Sequence, residues 1–303
     1  MATAVKPSTI ESTGTPKRSS WIANLAVLFK LRVVVLLLFA ALGGAMLGSH
    51  GAPRLDEIGL LLLTGALSAS GASALNQVIE RRKDVYMKRT RRRPLVTGQF
   101  DVRLALALGT GMVLGASGLA ILAGNTALAL WLAIGAAIYV GVYTLWLKPR
   151  SVLNVVIGGA AGSAAVLSGG AAVGAWADPG VIVLALLLFA WSPSHFWSLA
   201  LAYRDDYARA GVPMLPVVAS RQRAVFWMLA HAAATATFGL LLAAHAALGW
   251  LYLVPVGLAS AWLLRESRLL AIDYSGQRAL HVFKVSNSYL ALVLLAICVV
   301  TLV

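Results

Sequence analysis

Asn76, Glu80 and Asp84 follow one another at intervals of four in Asn76-Gln77-Val78-Ile79-Glu80-Arg81-Arg82-Lys83-Asp84. That interval puts all three on one face of a helix. An amide and two carboxylates on one face suit a hard cation such as Mg²⁺, which takes carboxylates, waters and phosphate oxygens. The plainer alternative is that Glu80 and Asp84 pair with Arg81, Lys83 or Lys88. A second acidic pair stands in Arg204-Asp205-Asp206-Tyr207-Ala208-Arg209. Adjacent carboxylates repel, and a cation or a neighbouring guanidinium such as Arg204 relieves that cost. Two such groups, brought to one place, could close on a shared metal. Directly after the first cluster comes Lys88-Arg89-Thr90-Arg91-Arg92-Arg93-Pro94. Guanidinium forks there could cradle phosphate oxygens bidentately, and a basic run beside a membrane also anchors on anionic lipid. His195, in Trp191-Ser192-Pro193-Ser194-His195-Phe196-Trp197, adds an imidazole able to bind iron or steer a proton, or simply to hydrogen-bond inside a bundle.

The elements that must carry these residues are membrane helices. Hydrophobic residues make up 60% of the 303 and charged ones 12%, which excludes an ordinary soluble globule and a disordered chain. A span needs about 20 mainly apolar residues. Nine candidates follow, at 33–48, 57–75, 103–123, 126–147, 152–175, 180–200, 224–246, 248–264 and 285–302. The fold expected is an all-α polytopic bundle of about nine transmembrane helices. Residues 1–30 read as a cytoplasmic tail, and residues 31–303 as one transmembrane domain. Gly158-Gly159-Ala160-Ala161-Gly162 is the densest small-residue face, as close helix approach in lipid requires. Trp21, Trp176, Trp250 and Tyr252 fall near span ends, where aromatic belts sit.

The net charge of +14 could point to nucleic acid, so placement has to decide. Sorted by span, all of the 25 Lys and Arg except Arg54 fall on one side. That is the cytoplasmic bias of membrane proteins. It puts the N-terminus inside and the C-terminus outside, and removes nucleic acid as a partner. Four spans separate the acidic clusters, so both face the cytoplasm. Carboxylates for Mg²⁺, cations for phosphate and a bundle open to lipid together suit an amphiphilic diphosphate. A transporter would place charge near the bilayer midplane, and no Asp, Glu, Lys or Arg lies there. A non-catalytic assembly scaffold for an oxidase would tolerate Ala at both clusters. The lone Cys298 cannot form an internal disulfide.

The stretch from Asn76 to Asp84, continuing through Met87-Lys88-Arg89-Thr90-Arg91-Arg92-Arg93-Pro94-Leu95, resembles the first motif of the UbiA-type prenyltransferases, most closely the haem farnesyltransferase branch. His195-Phe196-Trp197 with Asp205-Asp206-Tyr207-Ala208-Arg209-Ala210-Gly211-Val212-Pro213-Met214-Leu215-Pro216 is similar to that branch's second motif. Weaker matches are Tyr143-Thr144-x-Trp146-Leu147-Lys148, Ile157 to Gly162 and Phe283-Lys284-Val285-Ser286. The resemblance covers residue 30 to the C-terminus. It implies a nine-helix bundle with a central cavity open to the cytoplasmic side, in the cytoplasmic (inner) membrane of a bacterial-type cell. The implied reaction is Mg²⁺-dependent transfer of farnesyl from farnesyl diphosphate to haem B, with oxidase assembly proteins handling haem as further partners. A quinone precursor or other polycycle is the alternative acceptor. By motif position the metal would fall to Asn76, Glu80, Asp84, Asp205 and Asp206, and the diphosphate to Arg89 and Arg93. Lys88 and Arg204 flank them, and His195 would lie on the haem side. Two departures stand out. Glu80 occupies a position usually Asp, and Ser163 to Gly170 lacks the branch's usual Pro-Pro pair and Trp.

Overall fold

A computed structural model describes residues 20–303, so most of the expected N-terminal tail, residues 1–19, lies outside it. Thirteen α-helices run through the described residues, with no strand among them. Eight helical stretches are long and apolar enough to cross a membrane. They contain α2 (Leu31–Gly48), α3 (Leu55–Asp84), α4 (Val102–Leu122), α5 (Thr126–Ala136), α6 (Asn154–Gly158) with α7 (Ala160–Ala172), α8 (Pro179–Ala202), α11 (Arg221–Leu241) and α13 (Gly276–Val300). α12 (Gly249–Ile272) is as long as α8 but falls outside the eight, with Arg265, Glu266 and Arg268 in its last two turns. The short helix α1 (Trp21–Leu28) precedes α2, and the short helices α9 (Arg204–Arg209) and α10 (Leu215–Val218) lie between α8 and α11. Large apolar side chains such as Leu63, Leu114, Leu130, Leu253 and Leu258 face outward. In a chain of this composition that outer surface meets lipid, and the protein is a multi-pass integral membrane protein.

Helix lengths determine where the acidic residues stand. α3 has 30 residues, about 45 Å at 1.5 Å per residue, against roughly 30 Å of hydrocarbon. The span expected at 57–75 therefore continues as helix for more than two turns, and Asn76, Glu80 and Asp84 sit on that overhang. Its charges suit a long helix, with Asp56 and Glu57 in the first turn and Arg81, Arg82 and Lys83 in the last. α5 continues as a π-helix, Ala137–Leu147, which closes with Lys148 N–H donating to the Tyr143 carbonyl at 2.8 Å. α8 is the most enclosed of the eight spans, with 67% of an 18-residue apolar stretch buried. It runs unbroken through Pro193.

The tightest helix contact is not at Gly158–Gly162. It joins α2 to α7, where a Cβ on Gly169 would lie 1.8 Å from the Ala41 carbonyl oxygen, and one on Gly44 2.2 Å from that of Val166. Gly158 and Gly159 do pack closely, against Tyr143 and Ser192. Trp21, Trp176 and Trp250 are exposed as interfacial anchors should be, but Tyr252 is fully buried, its hydroxyl donating to the Gly239 carbonyl at 3.0 Å. A polar tip that finds a partner inside has no need of the interface.

Candidate active site

The overhanging turns of α3 turn their oxygens inward. Asn76, Glu80 and Asp84 are 1%, 9% and 4% exposed, and each meets a cation from elsewhere in the chain. Lys30 Nζ donates to Asn76 Oδ1 at 2.6 Å and to the Tyr139 hydroxyl at 2.9 Å. Asn76 Nδ2 donates in turn to Thr144 Oγ1 at 3.1 Å, and that hydroxyl donates to the Tyr139 carbonyl. Lys148 Nζ donates to Glu80 Oε1. Arg93 Nη1 lies 2.7 Å from Asp84 Oδ2 and 3.9 Å from Glu80 Oε2. The neighbouring cations Arg81, Lys83 and Lys88 are therefore not the partners of these carboxylates. Only Arg93 of the basic run is drawn in. Lys88, Arg89, Arg91 and Arg92 stay exposed.

Two cations outside the spans show the field of this cluster. Lys30 lies in the joint between α1 and α2 with φ at +50°. Burial, with the Arg93 charge next in size, lowers its pKa to about 7. Burial also works against Lys148, but the Glu80 carboxylate and the phenols of Tyr143 and Tyr207 more than offset it, so its pKa is raised. The site therefore holds one firmly charged amine and one amine balanced near neutrality.

The second motif reaches the same place through Asp206. Its Oδ2 accepts from Lys88 N–H at 2.9 Å, and Arg209 pairs with its other oxygen. Thr90 Oγ1 donates to the Asp84 carbonyl at 3.1 Å, which holds the loop after α3 under that contact. Asp206 is 5% exposed. Asp205, expected beside it, points outward with Arg204, and makes no hydrogen bond or ion pair with any described residue. The backbone turn at Tyr203 (φ −117°, ψ 35°) starts α9 in the register that buries Asp206.

His195 is buried elsewhere, nearly two helical turns before the end of α8. Its ring lies between Trp191 and Phe283, with centroids 4.1 and 4.3 Å away. Nδ1 shares a 2.7 Å hydrogen bond with Ser286 Oγ. The Trp191 indole N–H donates to the Ser286 carbonyl at 2.9 Å. The motif His195-Phe196-Trp197 and the stretch Phe283 to Ser286 thus meet in space.

All the inward donors of the cluster are oxygens, which suits Mg²⁺. No three of its carboxylates converge on one point, and each carries a cation of its own. That arrangement fits an ion held by one or two carboxylates together with substrate oxygens, not a closed protein cage. Sequence reasoning missed Lys30, Tyr139, Thr144 and Lys148 as members of the site. The available signal was a lone lysine at the same-side edge of two different spans.

The description "UbiA prenyltransferase family" belongs to the family whose profile matches residues 36–288. Protoheme IX farnesyltransferase 2 of Paramagnetospirillum magneticum is 42% identical, over 91% of this chain and 97% of its own. Protoheme IX farnesyltransferase of Sulfurisphaera tokodaii is 39% identical, over 91% and 92%. Among solved structures, a UbiA homologue from Aeropyrum pernix superposes with a TM-score of 0.72 at 20% identity, covering 88% of this chain and 98% of its own. A UbiA homologue from Archaeoglobus fulgidus bound to DMAPP and Mg²⁺ gives 0.60 at 18% identity, covering 91% and 99%.

Proposed function

We infer the reaction from one premise: the chain belongs to the UbiA prenyltransferase family. The protein is an enzyme that transfers a farnesyl group from farnesyl diphosphate to a vinyl group of haem B, giving haem O. The observation that carries this reading is the buried cluster of Asn76, Glu80, Asp84 and Asp206, faced by Lys30, Arg93 and Lys148. The names of the relatives select the prenyl donor and the haem acceptor.

We propose that Asn76, Glu80, Asp84 and Asp206 hold Mg²⁺. Bound there, the ion would neutralise charge on the departing diphosphate. Lys30, Arg93 and Lys148 contact the diphosphate oxygens as the bond from farnesyl C1 to oxygen breaks and its electron pair leaves with the diphosphate. Arg89 and Lys88 extend that cation set at the rim. Tyr139 and Tyr143, stacked 5.9 Å apart beside the cluster, keep water from the allylic cation. The vinyl π electrons of haem attack that cation, and water captures the new cation and loses a proton, leaving a hydroxyethylfarnesyl side chain. His195, with Trp191 and Phe283 on its faces, belongs to the haem side. We place the cluster on the cytoplasmic side of the inner membrane, from the one-sided Lys and Arg, with nine crossings once α12 is counted and a central cavity between the two sites. Oxidase assembly proteins that handle haem are the partners this implies.

The test uses membranes containing the chain, incubated with farnesyl diphosphate, Mg²⁺ and haem B, with pigments resolved by mass. Haem O should form, and Asp84→Asn should abolish it. No haem O, with prenylation of an aromatic acid instead, sinks the haem assignment. Full activity in Asp84→Asn sinks the metal role.

A further inference from the structure

A second group of ligating side chains lies at the far ends of the helices, remote from the acidic cluster. His50 follows α2, Asp178 caps the start of α8, and His245 follows α11. Lys30 and Asp206 stand at the opposite ends of α2 and α8, about 27 and 36 Å of helix away at 1.5 Å per residue. One ligand atom from each of the three residues lies within 4.8 Å of the others. The two imidazoles are stacked, with centroids 5.2 Å apart and planes 18° from parallel.

His245 is the telling member. Its side chain is 8% exposed, and Nε2 is buried with no hydrogen-bond partner. The nearest acceptor, Asp178 Oδ1, is 3.5 Å away and already takes the N–H groups of Gly180 at 2.8 Å and Val181 at 3.2 Å. A buried ring nitrogen left unpaired costs free energy unless something fills the position. His245 Nδ1 accepts from the Ala247 N–H at 3.3 Å, so ligation through Nε2 moves the ring proton to Nδ1 and gives up that long contact. The surroundings hold that arrangement. A Cβ on residue 180 would lie 2.5 Å from His245 Cδ2, so Gly180 makes room for the ring. Gly51, at φ +87°, packs its backbone against the Thr301 carbonyl and fixes the loop that carries His50.

We propose that His50, Asp178 and His245 form a binding site for a borderline divalent cation such as Zn²⁺, separate from the acidic cluster. Two imidazoles and one carboxylate are a common zinc donor set, with a water in the fourth position. Asp178 Oδ2 is free to ligate while Oδ1 keeps the helix cap. Tetrahedral bonds of about 2.0–2.1 Å set ligand atoms about 3.3 Å apart. His50, the exposed member, therefore closes the site by a side-chain rotation. The ion would tie together the segments that follow α2, precede α8 and follow α11.

Full-length protein in detergent, stripped with chelator and given excess Mg²⁺ to fill the acidic cluster, is titrated with Zn²⁺ by calorimetry. Co²⁺ serves as the optical probe. One Zn²⁺ should bind per chain, and Co²⁺ should give intense visible d–d absorption that Zn²⁺ bleaches. Outer-shell changes cost metal sites about 10–100-fold, so loss of a ligand should cost at least about a hundredfold. His50→Ala is exposed and keeps the fold, and Asp178→Asn keeps the helix cap, since Asn caps as well as Asp. Weakened Zn²⁺ binding in both variants supports the site. Absence of Zn²⁺ binding by the parent protein, or equal binding in parent and both variants, overturns it.

Discussion

Arg93→Met separates the resting role of the acidic cluster from its proposed catalytic one. Among the described residues Arg93 is the only cation paired with Asp84, at 2.7 Å, and the second cation on Glu80, at 3.9 Å. At an effective dielectric constant of about 20 these separations give roughly 6 and 4 kcal/mol of gross attraction. Most of that is offset by the cost of taking the charges out of water. Removing one partner from a buried pair nevertheless costs about 3–5 kcal/mol, because the other charge stays buried and unpaired. Glu80 keeps Lys148, so Arg93→Met should lie near 3 kcal/mol, with Asp84 carrying the loss. Adding Asp84→Asn removes the stranded charge and should restore about 2 kcal/mol, a coupling within the range of contacting residues. Mg²⁺ alone then provides the decisive comparison. Freed of its guanidinium, Asp84 is a better metal ligand, and a ligand at a hundred times its Kd stabilises by about 2.7 kcal/mol. Unfolding of purified protein in graded SDS, with and without Mg²⁺, measures both effects. Mg²⁺ should stabilise Arg93→Met more than the parent, and the Asp84→Asn variants less. Equal stabilisation in all four proteins refutes the assignment of Asp84 as a metal ligand.

Two further outcomes follow from the same geometry. Lys30 is held at a pKa of about 7 chiefly by burial, and a bound diphosphate favours its charged form. Affinity for inorganic diphosphate should therefore fall as pH rises through about 7, with proton uptake on binding that calorimetry detects and that Lys30→Met removes. Gly169→Ala would drive a Cβ to 1.8 Å from the Ala41 carbonyl, while Gly59→Ala, on α3, meets nothing within 4 Å. The first should destabilise by about 1–3 kcal/mol or more as α2 and α7 are forced apart, and the second should be neutral or stabilising by up to about 1 kcal/mol, both read from SDS unfolding.

The acidic face of α3 was legible in the sequence because a spacing of four means the same thing in any helix. Eight of the nine expected spans were legible for a similar reason, since hydrocarbon thickness sets a length that composition reveals; the other, at 248–264, falls in α12, which is outside the eight. What the sequence concealed depends on tertiary placement. Lys148 reaches Glu80 from the end of a π-helical stretch, whose period differs from 3.6 and whose register cannot be counted forward from Thr126. Lys30 reaches Asn76 from a left-handed joint between two helices. Asp205 and Asp206 are chemically equivalent as text, and only the turn at Tyr203 decides which is buried. The Gly158–Gly162 stretch has the densest run of small residues, but closeness depends on where helices cross, and α2 crosses α7 at Gly44 and Gly169.

Buried ion pairs are poor sources of stability, and apolar residues of similar volume in their place often leave a protein no less stable. Folding therefore does not account for four inward oxygens faced by Lys30, Arg93, Lys148 and Arg209. A ligand that brings both signs of charge does. At rest each carboxylate holds a cation, so none is buried alone. In the proposed complex Glu80 and Asp84 exchange Lys148 and Arg93 for a metal, while those two cations exchange carboxylates for diphosphate oxygens. Each exchange is weaker alone than in the presence of the other. Metal without diphosphate strands the cations, and diphosphate without metal strands the carboxylates. Each ligand should therefore raise the affinity for the other by the same factor, as linkage requires. The cations are then released onto the leaving group only when metal and prenyl donor are both present. An allylic cation made at any other time would be lost to water.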